Sequence, residues 1–209
     1  MLLTFAVLLV FGSARLSHSL CDPDVLHPQT ALCNQKYAFK GKVTKSTLDE
    51  SVDNAPEGST GVSYEVNVMK VFKDTESDLT EIEVITITTK GSMQNGIPWL
   101  VVGTKYFMTV SSSKTIDLCQ SYVVEWSLLP LPKSVYKWRA ADDTFIGNKN
   151  CDNCEINYGT PKNTAEVCDY NSLSCCHLYE RCNYNENLGQ CSWDKLPQKE
   201  SGKDCEAPE

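Results

Sequence analysis

Cysteine placement constrains this chain more than any other feature. Eleven cysteines are spread unevenly over 209 residues: Cys21, Cys33 and Cys119 are sparse, and the other eight crowd between Cys151 and Cys205. An almost unbroken apolar run over residues 2–11 is too short to cross a bilayer and is followed by Gly12, Ser13 and Ala14, which reads as a secretory leader. Cysteines behind such a leader form disulfides by default. Because eleven is odd, at least one thiol is free or joined to another molecule. The spacing implies a larger domain with its own core to about residue 150. After it comes a small stapled module that cannot bury enough apolar surface alone.

Cleavage after Ala14 or after Ser19 fits the small-residue rule, and cleavage after Leu20 fits it poorly. No later segment is apolar enough to span a membrane. The formal charge of −8 argues against nucleic acid or an anionic membrane as the main partner.

Hydrophobic periodicity then gives the larger domain its class. Pro28 suits the first turn of a short helix continuing to Cys33, and His27 beside it reads as a helix-start contact rather than a metal ligand. Tyr37, Phe39 and Val43 alternate with Lys40 and Lys42, and Val62, Tyr64, Val66 and Val68 alternate with polar neighbours, so both stretches read as half-buried strands. Residues 44–61 read as a long exposed loop. Residues 82–87 read as a strand with a bulge at the Val84-Ile85 phase change. Residues 106–110 and 115–119 read as a hairpin about the turn at 111–114. Strands of this number and kind favour a small closed barrel over an open sheet. Residues 134–141 carry a helical pattern.

No catalytic constellation is visible in the sequence. There is no His-Glu-x-x-His, no Gly-x-Ser-x-Gly and no phosphate-binding glycine loop. Nothing assembles a nucleophile, a base and an oxyanion site, so the chain reads as a binding protein and not an enzyme. Cys151-x-x-Cys154 reads as structural in a secreted cysteine-rich tail. No Asn-x-Ser/Thr sequon is present.

The stretch Cys21-x5-His27-Pro28-Gln29-x-Ala31-x-Cys33 resembles the start of the tissue inhibitors of metalloproteinases. The likeness continues through Tyr64-Glu65-Val66, Lys70-Val71-Phe72-Lys73, Gly103-Thr104-Lys105-Tyr106-Phe107 and Leu118-Cys119 to Trp126-Ser127-Leu128-Leu129 and Cys151-x-x-Cys154. Gly189-Gln190-Cys191-Ser192-Trp193 resembles the end of the family's C-terminal part. The resemblance implies a mainly β fold: a netrin-like OB-fold five-stranded barrel with short flanking helices over residues 21–151, and a disulfide-rich module over 152–209, behind a leader at 1–20. It also implies Cys33–Cys151 and Cys154–Cys191 bridges. The pairing of Cys168, Cys175, Cys176, Cys182 and Cys205 stays open.

Function follows from the same likeness. In such inhibitors the first cysteine is the mature N-terminus, and its α-amino group and carbonyl chelate the zinc of the target protease. A catalytic zinc keeps an open coordination position that such a pair can fill. The resemblance therefore places Cys21, Asp22, Pro23 and Asp24 in the protease cleft, with Met93, Gln94 and Asn95 alongside. It implies secreted zinc metalloproteinases as partners, zinc shared with the target as the only metal, and an extracellular location with the matrix as a further partner.

Three departures qualify the pattern. Pro23 and Asn95 stand where the family has cysteines, which orphans Cys21 and Cys119 and suggests that they pair with each other. Asp22 replaces the usual Ser or Thr, and a carboxylate entering an apolar pocket carries a desolvation cost of a few kcal/mol unless paired. Cleavage after Ser19 would leave Leu20 capping the chelating amine. The alternative reading is a non-inhibitory netrin-like matrix or binding protein, cross-linked through the odd cysteine.

Overall fold

The computed structural model describes residues 26–49, 61–91, 95–129, 148–162, 164–170 and 180–195. The leader, residues 21–25, the pattern at 134–141, and Cys175, Cys176 and Cys205 lie outside the described residues.

Five strands form the main sheet: β1 (Tyr37–Asp49), β2 (Gly61–Asp74), β3 (Val84–Thr89), β4 (Lys105–Val110) and β5 (Val123–Glu125). All neighbours are antiparallel in the order β3-β2-β1-β4-β5. A parallel bridge between Thr88 and Thr115 then links β3 to the segment after β4 and wraps the sheet around its core. It consists of Thr88 N donating to Lys114 O (3.1 Å) and Ile116 N donating to Thr88 O (3.0 Å).

Alternation builds the interior as the period-two pattern requires. Tyr37, Phe39, Val43, Tyr64, Val66, Val68, Ile85, Ile87, Met108 and Val110 are all buried in one cluster. Gly41 sits among them because a Cβ there would lie 2.4 Å from Val66 Cγ1, closer than packing allows. Three register shifts between β1 and β2 supply the curvature that closing a sheet needs.

The outer face carries a second, smaller cluster of Leu32, Ala38, Phe72, Phe107 and Leu129. Leu32 comes from helix α1 (Pro28–Asn34), so this helix packs against the outside of the barrel.

Three expectations are corrected. Residues 44–49 and Gly61 are strand, not loop, because β1 and β2 keep pairing as far as Asp49 and Gly61. The 82–87 strand starts only at Val84 and runs against β2 without a bulge. The apparent phase change arises because Ile82, in the preceding turn with a left-handed φ of 75°, and Val84 both face outward, while Ile85 and Ile87 face the core. The stretch 115–119 is not a hairpin partner of β4. Ser111 N still bonds Thr115 O (3.1 Å), but the chain then crosses to β3, and β5 lies further on at Val123–Glu125.

Beyond the barrel come α2 (Asn148–Asn153), the parallel pair β6 (Glu155–Asn157) and β7 (Val167–Asp169), and the hairpin β8 (Glu180–Asn185) and β9 (Gln190–Lys195). Buried here are Cys154, Cys168, Cys182 and Cys191, with Ile156 and Trp193 against them. The bridges are Cys33–Cys151, Cys154–Cys191 and Cys168–Cys182, so the two cysteines of Cys151-x-x-Cys154 each pair elsewhere.

Candidate functional site

The His-Pro-Gln step marks where the chain leaves its N-terminal stretch and enters the fold. His27 caps α1: its Nδ1 accepts from Gln29 N at 3.1 Å while its extended backbone precedes Pro28 at the first turn. The His27 ring is fully buried between Tyr170 (centroids 5.8 Å apart) and Trp193 (5.4 Å), both from the tail. The His27 backbone N–H donates to the Tyr158 hydroxyl at 3.0 Å, and that hydroxyl donates to Thr30 Oγ1 at 2.6 Å. Burial pushes the Tyr158 phenol up from its ordinary pKa, so it stays protonated and able to donate.

Gln29 completes the clamp. Its amide nitrogen donates to Cys182 O and its amide oxygen accepts from Cys182 N, both at 2.9 Å. A side-chain amide thus stands in for a β-strand neighbour of β8, with each buried polar group satisfied.

The other end of α1 is held by a buried lysine. Lys73, on β2, is only 4% exposed and directs Nζ at the carbonyls of Leu32, Cys33 and Gln35. Carbonyls at a helix C-terminus lack intrahelical N–H donors and carry its partial negative charge. Burial, with repulsion from Lys36, pulls the Lys73 pKa down to about 8. Gln35 Nε2 then donates to Gln120 O at 3.0 Å, tying α1 to the segment that carries Cys119.

That segment also holds Asn95. Leu118 N donates to Asn95 O at 3.0 Å, and Cys119 N donates to Asp117 Oδ1 at 2.8 Å. Behind Asn95, Ile97 N donates to Thr89 Oγ1 (2.8 Å), and the buried Tyr64 hydroxyl donates to Ile97 O (3.0 Å) and accepts from Leu100 N (3.2 Å). Cys119 is disulfide-bonded. The other six described cysteines pair among themselves, so its partner lies outside the described residues.

The structure therefore brings together the end of α1, exposed Asn95 and Cys119. Cys21, Asp22, Pro23, Asp24, Met93 and Gln94 lie outside the described residues. The sequence pointed to His27 as a helix start, but the clamp roles of Gln29, Tyr158 and Lys73 have no local signature. Their partners are 153, 131 and about 40 positions away. A separate cleft of about 940 Å³ lies between α1 and the tail, lined by Asn34, Asp152, Glu155, Glu166 and Tyr184 among others.

The profile described as tissue inhibitor of metalloproteinase matches residues 18–206. The chain belongs to the tissue inhibitor of metalloproteinase family. No individual curated protein matches it closely enough to count as a relative. Membership explains the five-stranded β core with its bridged C-terminal part, and it identifies the chain as one of a family of protease inhibitors rather than enzymes. Metalloproteinases are the targets that membership implies, and membership together with the bridges points to secretion. Among the described residues no helix is long and apolar enough to cross a membrane.

Proposed function

We propose that this tissue inhibitor of metalloproteinase family member blocks zinc endopeptidases with its N-terminal edge. The α-amino group and carbonyl oxygen of Cys21 take the open positions on the protease zinc. Asp22 to Asp24 lie in the cleft, and Met93, Gln94 and Asn95 pack beside them. The observation that carries this reading is the convergence of α1, Asn95 and the bridged Cys119 at one place on the barrel. Three segments distant in sequence form one rigid support there, and a preorganised edge loses little entropy on binding.

We further propose that Cys21 is the partner of Cys119. It is one of only four cysteines outside the described residues, and Asn95, where the family's usual partner for the first cysteine falls, accepts a hydrogen bond from Leu118, next to Cys119. Asp22 weakens entry into an apolar specificity pocket.

The deciding experiment is N-terminal sequencing of the secreted protein together with titration against a metalloproteinase panel. A chain starting at Cys21 should inhibit stoichiometrically, one extra alanine before Cys21 should remove inhibition, and Asp22→Thr should strengthen it. A chain that starts at Cys21 and inhibits no member of the panel would overturn the proposal in favour of the non-inhibitory matrix reading.

A further inference from the structure

Asn95-Gly96 is the only asparagine–glycine step in the 209 residues. Such a step is chemically labile, because glycine has no side chain to crowd its main-chain nitrogen as it closes on the asparagine amide. The two residues lie in different surroundings. Asn95 is exposed in a turn, and Gly96 is buried. The lability is a property of this chain, since the family has a cysteine where Asn95 stands.

The peptide unit between them is gripped from both sides. Leu118 N donates to Asn95 O at 3.0 Å, and just beyond Gly96 the Ile97 N–H donates to Thr89 Oγ1 at 2.8 Å. Among the described residues nothing accepts a hydrogen bond from Gly96 N. Asn95 O and Gly96 N belong to the same amide. When that nitrogen loses its proton, the negative charge spreads onto Asn95 O, where the Leu118 N–H already stands as a fixed donor. Burial of Gly96 alone would disfavour the anion, and the aimed donor offsets that cost.

We propose that Asn95-Gly96 is a self-modifying site, at which the folded protein converts Asn95 to aspartate and isoaspartate without an enzyme. Gly96 N gives its proton to hydroxide and attacks Asn95 Cγ. The N–Cγ bond forms, the Cγ–Nδ2 bond breaks, and Nδ2 leaves as ammonia with a proton from water. Water then opens the cyclic imide. Opening at Cγ gives aspartate. Opening at the main-chain carbonyl carbon gives isoaspartate, whose main chain runs through Cγ and whose free carboxylate contains the former Asn95 O. Either product adds negative charge to a chain already at −8. Isoaspartate also lengthens the main chain where Leu118, next to the bridged Cys119, holds it. The consequence for inhibition rests on the proposed function: a carboxylate arising beside Asp22 and Asp24 weakens the edge as the protein ages.

The test incubates the whole secreted protein in mildly alkaline buffer beside a synthetic peptide of residues 90–100, and follows both by mass mapping. In the folded protein the fragment holding Asn95 should gain about 1 Da and separate into two products, faster as pH rises. Fragments holding Asn67 and Asn157 should stay unchanged. Asn95→Gln, which would have to close a larger ring, should also keep its mass. A folded protein whose Asn95 is intact after the peptide has converted overturns the proposal, and so does conversion at Asn67 or Asn157 at the same rate. Inhibition of a metalloproteinase is read separately. The inhibition constant of aged wild type should rise severalfold over its fresh value, while aged Asn95→Gln keeps its own. Conversion at Asn95 with inhibition unchanged upholds the modification and removes Asn95 from the protease-binding edge.

Discussion

The barrel and the tail reach stability by opposite means. The barrel buries Tyr37, Phe39, Tyr64, Phe107, Ile87 and Met108 almost completely, and its interior is continuous aliphatic and aromatic packing. The tail has strands of three to six residues, and the buried core among its described residues is four half-cystines with one isoleucine and one tryptophan against them. A module of that size gains too little from apolar burial, and cross-links that restrict its unfolded chain make up the difference. The contrast teaches where the molecule is vulnerable: to cavities in one half, to reduction in the other.

Breaking each half should expose this. Phe107→Ala removes a fully buried ring from the cluster under α1 and should cost about 3–5 kcal/mol. It should lower the thermal transition that reports β-sheet circular dichroism. Replacing Cys154 and Cys191 by serine should cost about 2–5 kcal/mol. That loss should appear as a protease-sensitive tail with the barrel signal kept. If both variants melt the whole molecule in one step, the two halves are a single cooperative unit and the contrast fails.

Gln29→Leu sharpens the comparison at the seam. It leaves Cys182 N–H and C=O without their partner, for about 1–3 kcal/mol for each group left buried. Hydrogen exchange should quicken at both α1 and β8, and quickening at α1 alone would show that the seam does not couple them.

The smallest effect is a pH dependence. Lys73 has a folded pKa of about 8 against an ordinary 10.5, so between those values the native state holds fewer protons than the unfolded chain. Stability from this site therefore rises with pH through that window, by at most about 1.4 kcal/mol per unit. Above pH 10 the raised phenol of Tyr170, at about 12, acts in the opposite sense. Denaturant titrations from pH 8 to about 9.5 should show the wild type gaining on Lys73→Met, and parallel curves would refute the linkage.

How far the sequence could be read follows the same division. Strands β1 and β2 were legible because alternation such as Val62, Tyr64, Val66, Val68 is a local signal, and the helix start was legible from His27-Pro28. The extension of β1 through Lys45 to Asp49 was hidden, because a polar, exposed hairpin arm carries no burial pattern. Ile82 misled because its apolar side chain sits in a left-handed turn. The crossing at Thr115 depends on which strand lies nearby in space, and the turn residues at 111–114 do not encode that. For the candidate edge, the family likeness supplied the motif, while the chain's own geometry supplied the reason for Gln29 and Lys73.

The Gln29–Cys182 pair also sets a schedule for biosynthesis. The two residues are 153 positions apart, so at about 5–20 residues per second roughly 8–30 seconds of translation separate them. Until β8 has emerged and Cys33 has met Cys151, helix α1 has neither its clamp nor its bridge. Helix α1 is made early and locked late, and it stays unfinished until the chain has been made as far as β8.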